Sequence, residues 1–195
     1  MMLFWKLRQL GSGLHSKDWK VREASADALI KIGSAAVASL VSALGDKDQS
    51  VQKVAAKALG QIRDPTAVDA LAVTLRDVVR RGAVLAGLEE ELIKALAGIG
   101  DLRAIEVVVG ALRVERVRSA ATASLVSLGS AAVASLAGAL ADKAEDVRLA
   151  AVKALGEIRD SRVSNLLAAA LQDERYTIRD AAAAAIIKKI GRAHV

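Results

Sequence analysis

The sequence predicts an all-α solenoid of about five helical hairpins with a capping helix at each end. The segment Gly33–Leu40 recurs unchanged as Gly129–Leu136, and at the same offset of 96 residues Lys57–Asp64 nearly matches Lys153–Asp160. Self-similarity at a fixed spacing is typical of proteins built from stacked units. One proline and four aromatic residues stand among many alanines and leucines. This composition favours closely packed helices over sheets.

Composition excludes several kinds of chemistry. The 195 residues include no cysteine, so disulfides, thiolate metal sites and a cysteine nucleophile are excluded. The net charge of +6 is compatible with a nucleic-acid or acidic partner, but the placement of the charges matters more than their sum for such binding. The apolar start contains Lys6 and Arg8 and is too short for a signal peptide core or a membrane span. A cytoplasmic protein without membrane contact is therefore expected.

Residues 2–15 are predicted to form the first capping helix. Leu3, Leu7 and Leu10 share one helical stripe, and the segment Gly11–Gly13 is expected to end the helix. Such a helix covers the open face of the first repeat, as stacked arrays require. A membrane-surface anchor is the alternative interpretation, against which the short length and the two charges argue.

The first hairpin is predicted over residues 16–45. Its first helix places five apolar residues on one face: Val21, Ala24, Ala28, Leu29 and Ile32. Gly33 is expected to end that helix in a left-handed conformation, and Ser34 is expected to cap the next helix. The second helix carries its own apolar stripe: Ala36, Val37, Leu40, Ala43 and Leu44.

The same scheme predicts four further hairpins and a final cap. Their bounds are 46–77, 78–113, 114–142, 143–173 and, for the C-terminal capping helix, 174–195. In the second hairpin, Asp64 is the expected N-cap and Pro65 the first helical residue, where proline is favoured. The last helix is expected to span Ile178–Ile190 and to end at Gly191.

The third hairpin departs from the pattern because its start is about seven residues longer than in the others. Its first helix begins either near Val79, with an inserted stretch, or near Leu88. Gly82 and Gly87 favour a bend or loop between these positions. Asp101 is the expected N-cap of the second helix.

Here the residues resemble a known family. The run Val147–Asp160 resembles short HEAT-like repeats of the phycobilisome lyase (PBS lyase) type and the consensus of artificial HEAT-like proteins, and Asp18–Arg22 resembles their entry segment. The resemblance covers about residues 16–191. It implies a right-handed superhelix of the ARM/HEAT kind, with first helices on the convex side and second helices lining a concave binding face. Gln52 replaces the usual arginine, and segment 78–88 interrupts the period.

Catalytic and metal-binding residues are not expected. His15 and His194, the only histidines, lie at opposite ends of the predicted array. The His–Glu pairs that HEAT-like deoxyhypusine hydroxylases use do not occur. Glu89–Glu91 are adjacent residues at a helix start, where acids favour the helix dipole. The groove serines have no basic partner to activate a nucleophile: Ser39, Ser42 and Ser135.

The arginines divide into two groups. The first recurs at one repeat position, near acids such as Asp142 and Asp173, and predicts a ladder of ion pairs between repeats: Arg22, Arg118, Arg148 and Arg179. The second is less regular and is the candidate for a nucleic-acid patch: Arg76, Arg80, Arg81, Arg113 and Arg116. Asp69 and Glu106 on the inner face, and the lack of a stacking aromatic residue, argue against this role.

The predicted concave face carries mostly small or apolar residues, whereas a solvated face would carry lysines and glutamates. The candidate partner-binding residues are Ser39, Ser42, Asp69, Val73, Glu106, Val107, Gly110, Ser135, Gly138, Asn165, Leu166 and Ala169. This pattern favours a non-enzymatic scaffold, without cofactor, that binds a protein, a peptide helix or a second copy as a homodimer. The alternatives are an accessory of bilin attachment or phycobilisome handling, which the resemblance implies, and a nucleic-acid-binding protein.

Overall fold

A computed structural model describes residues 2–81 and 87–193, and over these residues the chain is helical with no β-strand. The helices are α1 (Met2–Leu14), α2 (Trp19–Ile32), α3 (Val37–Leu44), α4 (Gln49–Ile62), α5 (Val68–Arg81), α6 (Leu88–Ile99), α7 (Leu102–Ala111), α8 (Glu115–Leu128), α9 (Val133–Ala139), α10 (Glu145–Glu157), α11 (Val163–Ala170) and α12 (Tyr176–Ala193). Short 3₁₀ turns precede α3, α5 and α9.

The helices form two compact units, within Met1–Ala104 and Ile105–Val195. In the first unit, α2, α4 and α6 pack side by side in that order, while α3 packs on α4 and α5 on α6. In the second unit, α8, α10 and α12 pack in order, while α9 packs on α10 and α11 on α12. The predicted all-α solenoid class is confirmed, and the division into five repeats stays a prediction. The buried apolar side chains of the described part are all alanine, valine, leucine or isoleucine.

Neighbouring first helices approach most closely where glycine removes the side chain. A Cβ at Gly60 of α4 would lie 2.6 Å from the Ala95 Cα of α6, and one at Gly98 would lie 2.8 Å from the Gly60 carbonyl oxygen. In the second unit, a Cβ at Gly156 of α10 would lie 2.8 Å from the Ala185 Cβ of α12. Gly60 and Gly156 are 96 residues apart, so the duplicated sequence preserves this close crossing.

The recurring octamer links its hairpin to the next one. The Ser34 side chain lowers the pKa of the Asp64 carboxylate, and the Ser130 side chain likewise contributes to lowering the pKa of the Asp160 carboxylate. The predicted N-cap role of Ser34 is wrong, because a 3₁₀ turn without a side-chain cap begins at Gly33. Gly33 does have a positive φ, of 76°. The serine therefore favours the charged form of a carboxylate in the next hairpin and does not cap its own helix.

Asp160 has several donors and hence a lowered pKa. Its carboxylate accepts hydrogen bonds from the Arg162 side chain, with Nη2 to Oδ2 at 2.7 Å, and from the Arg162 backbone N–H at 2.9 Å. The Arg162 side chain is the main cause that lowers the pKa of Asp160, and the backbone bond and Ser130 add to it. Asp64 likewise has a lowered pKa because Ser34 and Thr66 donate to it.

Several sequence predictions of helix ends hold. Asp64 accepts from the Thr66 N–H with Pro65 at the first helical position, and Asp101 accepts from the Ala104 N–H. The first helix of the third hairpin begins at Leu88, one of the two predicted starts, and residues 78–81 continue α5. Gly87 adopts φ 90°, whereas Gly82 lies outside the described residues.

Other predicted helix ends and faces are wrong. Helix α1 continues through Gly11–Gly13. The glycine at position 13 serves packing, because a Cβ there would lie only 2.1 Å from the Ser25 Oγ and its absence lets α1 approach α2. Helix α12 continues past Gly191 to Ala193. Val21 and Ala24 are exposed, because α2 has no preceding first helix to cover them. The buried residues of α2 are Ser25, Ala26 and Leu29, of which only Leu29 belongs to the predicted stripe.

Two segments, Trp19–Leu44 and Glu115–Ala139, are long and apolar enough to cross a membrane by length and composition alone. In each segment a glycine with positive φ separates two helices, namely Gly33 and Gly129. Core helices of other proteins satisfy the same criterion, so the two segments give weak support for a span. The N-terminal capping helix is not among the candidates in the described part.

We expect Gly60→Ala to destabilise the protein by about 1–3 kcal/mol, because the new methyl group overlaps Ala95. The matched substitution Gly138→Ala places its Cβ in open space. It should stabilise α9 by about 0.5–1 kcal/mol through the lower helix propensity of glycine. Urea denaturation followed by circular dichroism measures both, and equal effects of the two variants would contradict the close crossing.

We expect the protein to lose stability as the pH falls below about 4, the ordinary aspartate range. A lowered pKa means that the folded state favours the charged carboxylate, so its contribution is present above that range and is lost on acidification. Asp160→Asn should therefore show a smaller loss of melting temperature between about pH 6 and about pH 3. Asp180→Asn, at an exposed position of α12, is the control and should behave like the unchanged protein.

Candidate functional site

The second unit presents a face of small residues on its second helices. Helix α9 exposes Ala134 and Gly138, and α11 exposes Asn165, Ala168 and Ala169. Its first helices α8 and α10 instead expose mainly polar and charged residues: Glu115, Arg116, Ser119, Asp146, Lys153 and Glu157. The predicted contrast between small second-helix faces and charged first-helix faces is therefore present in this unit. We call the exposed residues of α9 and α11 the small-residue face.

Three other predicted residues of this unit are more enclosed. Ser135 is buried, and its Oγ donates to the Glu106 Oε1 of α7 at 2.6 Å. Val107 and Leu166 are half-buried, while Gly110 is exposed. Ser135 and Glu106 thus connect α9 to α7, which leaves the exposed glycines and alanines as the surface that a partner could contact.

In the first unit, the predicted face is less uniform. Ser42 of α3 is exposed, but Ser39 is half-buried beside α1, where a Cβ at Gly11 would lie 3.9 Å from the Ser39 Cβ. On α5, Val73 is exposed, and the carboxylate of Asp69 lies 3.8 Å from the Arg103 guanidinium. Helix α5 also exposes arginines. An apolar face is therefore not continuous over the second helices of this unit.

Two grooves, which the sequence did not predict, lie between first helices at equivalent places in the two units. The groove between α8 and α10 has a volume of about 530 Å³. The groove between α2 and α4 has a volume of about 340 Å³. Seven lining positions correspond at an offset of 96 residues, from Trp19 with Glu115 to Lys57 with Lys153. The duplication therefore reproduces a surface groove as well as a fold.

The two grooves differ in one ion pair. In the first unit, Lys57 Nζ lies 3.0 Å from Glu23 Oε2, which joins the two helices across the groove and raises the pKa of Lys57. In the second unit, the residue that corresponds to Glu23 is Ser119, which cannot pair with Lys153. The groove with the larger volume is the copy without this ion pair. The exchange of glutamate for serine is visible once the two halves of the sequence are aligned.

The recurring arginines contact backbone carbonyls. Each is the fourth residue of its helix and donates to the carbonyl oxygen six residues earlier, in the turn after the preceding second helix or after α1. The donor–acceptor distances are 2.7–2.9 Å for Arg22 to Ser16, Gln52 to Asp46, Arg118 to Leu112, Arg148 to Asp142 and Arg179 to Asp173. Gln52, which stands in place of an arginine, makes the same contact. The carbonyl contact, and not an ion pair, is what these positions share.

Ion pairs accompany this contact at two of the positions. Arg118 lies 3.0 Å from Asp146, and Arg148 donates through Nε to Asp173 Oδ2 at 2.8 Å. Arg148 is buried, and Asp173 is largely enclosed beside it. This guanidinium is the main cause that lowers the pKa of Asp173, while Asp173 raises the pKa of Arg148. The predicted ladder of ion pairs is therefore wrong as a general rule and right for these two arginines.

The remaining polar candidates form no concentrated site within either unit. Arg80 pairs with Asp77 at 3.1 Å in the first unit, and Arg113 pairs with Asp142 in the second. His15 contacts the Asp46 carboxylate, and His194 lies outside the described residues. Within residues 2–81 and 87–193, no group of three or more histidine and acidic side chains is arranged to hold a metal ion. The surfaces that remain are the small-residue face and the two grooves.

Comparisons with known proteins agree on the fold. A family model of HEAT repeats matches residues 7–89 and 115–187. One similar structure is that of crescerin, which uses a TOG domain array to regulate microtubules in the primary cilium. Its TM-score is 0.52 at 19% identity, and the match covers 93% of this chain and 89% of that one. The complex of CpcE and CpcF of phycocyanin lyase from Nostoc sp. PCC7120 gives a TM-score of 0.50, 24% identity and coverage of 94% and 75%. Comparison with curated protein sequences finds no match. At these identities the structural similarity shows the fold alone.

We expect Arg148→Gln to lower the melting temperature less than Arg148→Ala does. Glutamine can keep the carbonyl contact, as Gln52 does, while alanine removes both that contact and the Asp173 pair and leaves buried acceptors without a donor. Thermal denaturation measures the difference, with Arg159→Gln at an exposed position as the control. Equal losses for the two substitutions at position 148 would show that the carbonyl contact contributes little.

Proposed function

Because the chain belongs to the HEAT-repeat family, whose fold is typically a protein-interaction scaffold and generally non-enzymatic, we propose that it binds a partner helix or peptide through its second helices. The small-residue face of α9 and α11 is the most suitable surface. The observation that carries this proposal is the contrast within one unit between exposed alanine and glycine on α9 and exposed charges on α10.

Small side chains suit a helical partner for a geometric reason. Without long side chains, the backbone of a second helix can be approached closely, and an apolar helix can bury its surface there without displacing charged groups. Ala134 and Gly138 lie about one helical turn apart on the exposed side of α9, so neither position places a long side chain there. An amphipathic segment with apolar residues three or four positions apart has the complementary shape.

A second copy of the chain is the other occupant that the proposal covers. A homodimer through this face would place α9 of one chain against the same helix of the other, since two-fold interfaces pair identical patches. The two occupants differ in one measurement, the solution mass of the isolated protein. A dimeric mass points to self-association, and a monomeric mass with a captured helix or peptide points to a distinct partner.

We expect Gly138→Glu to abolish binding of the partner or dimerisation. A Cβ at Gly138 has open space, so the fold tolerates the substitution while the charge and bulk block the face. Ala123→Glu is the matched control, because Ala123 is exposed on α8 in the same unit and on the first-helix side. Light scattering gives the mass, and selection from a library of helical peptides gives a defined ligand for titration.

The possible outcomes show whether or not the small-residue face is the binding surface. Loss of dimer or peptide binding in Gly138→Glu, with both retained in Ala123→Glu, supports the proposal. If the protein is monomeric and the two variants bind a selected peptide equally well, the small-residue face is not the binding surface. Equal loss in both variants would likewise contradict it, since that result places binding on no particular face.

A further inference from the structure

The first turn of α1 is apolar on all sides and exposed. Met2, Leu3, Phe4 and Trp5 are consecutive, and the side chains of Phe4 and Trp5 are 72% and 71% exposed. These two residues are half of the four aromatic residues in the chain. Because large apolar side chains are costly to leave in water, a cluster of four at one helix end indicates a contact surface rather than a packing remnant.

The rest of α1 explains why this turn projects. Leu14 is fully buried, Leu7 and Leu10 are half-buried, and Gly13 lies against Ser25 of α2. The C-terminal part of α1 therefore fixes the helix to the first hairpin, as the predicted cap requires. The opposite side of the helix carries an exposed row of residues that line a shallow concavity: Trp5, Arg8, Gln9 and Ser12. The capping role thus accounts for one side of α1 and leaves the first turn unexplained.

Positive charge surrounds this apolar turn. Lys6 and Arg8 are both exposed and follow the aromatic residues directly, and the first acidic residue of the chain is Asp18. Basic side chains beside exposed tryptophan and phenylalanine are the combination that favours the boundary of an anionic lipid bilayer. Tryptophan in particular has an apolar ring with a polar N–H and is enriched at the level of lipid headgroups.

We propose that the first turn of α1 docks on an anionic membrane surface, with Phe4 and Trp5 inserted among the headgroups and Lys6 and Arg8 against the lipid phosphates. A second copy of the chain fits this surface less well. A two-fold dimer would bring identical patches together, and Lys6 and Arg8 would then face their own copies across the interface. The membrane proposal is independent of the proposed function and uses a different surface.

The two tryptophans of the chain allow a direct test. Trp5 and Trp19 are both exposed, at 71% and 62%, and they lie on different helices. The variant Trp19→Phe retains only Trp5, and Trp5→Phe retains only Trp19. On addition of phosphatidylcholine–phosphatidylglycerol vesicles, we expect the emission of Trp19→Phe to shift to shorter wavelength and that of Trp5→Phe to stay unchanged. No shift from Trp5, or equal shifts from both tryptophans, would overturn the proposal.

Vesicle co-sedimentation with the full chain tests the chemistry of the contact. The double variant Phe4→Ser with Trp5→Ser should lose binding, while Trp19→Ser at the other exposed tryptophan should keep it. Replacing Lys6 and Arg8 by serine should weaken binding roughly twenty-five-fold, because each basic residue near an anionic surface contributes about five-fold. Vesicles of phosphatidylcholine alone should bind weakly.

A folding control and two further outcomes decide whether the membrane proposal is wrong. Circular dichroism establishes that each variant is folded, as expected for substitutions at exposed positions. If Phe4→Ser with Trp5→Ser binds the anionic vesicles as well as the unchanged protein does, the proposal is wrong. If the same variant instead converts a dimer to a monomer by light scattering in the absence of lipid, the apolar turn serves self-association, and the membrane proposal is overturned.

Discussion

One kind of contact recurs at the start of five helices, from the fourth residue of the helix to a backbone carbonyl six residues earlier. The last carbonyls of a helix have no partner within the helix, and a buried carbonyl without a donor is costly. Arginine or glutamine at this position supplies the donor at five joints, two of which also carry an ion pair, Arg118 with Asp146 and Arg148 with Asp173. Because the acceptor is backbone, the contact does not depend on the sequence of the turn. The residues of the turns can therefore differ between repeats while the contact to the backbone carbonyl is kept.

The duplicated octamer has a related structural role. Its first serine lowers the pKa of the aspartate that precedes the next second helix, Ser34 that of Asp64 and Ser130 that of Asp160. Its later serine, Ser135, bonds to Glu106. The polar residues that repeat most faithfully thus satisfy one another within the stack, and their recurrence gives no indication of catalysis. Other surface positions differ between the two copies, such as Ser119 in place of Glu23.

The sequence predicted the fold better than the surface, for physical reasons. The apolar spacing of Val37, Leu40 and Leu44 predicts a buried stripe, and all three residues are buried. Asp64 before Pro65 determines its helix start locally. The prediction that α1 ends at Gly11–Gly13 is wrong because the sequence does not distinguish a glycine within a helix from a glycine after a helix. The distance from Gly13 to Ser25 shows which of the two applies. The candidate site required contacts between distant residues. No local pattern shows that Glu106 bonds to Ser135 or that Asp69 lies near Arg103.

Helix α1 illustrates how one element can serve two demands. A terminal helix must bury one side against the stack, and Leu14 and Gly13 accomplish this near its C-terminal end. That requirement places no constraint on the first turn, where serine or lysine would give a more soluble cap. The chain instead has Phe4 and Trp5 there, exposed and followed by two basic residues. Since packing does not require these aromatic side chains and water disfavours them, their placement is best explained by a surface that they contact, and the adjacent positive charge indicates that this surface is anionic.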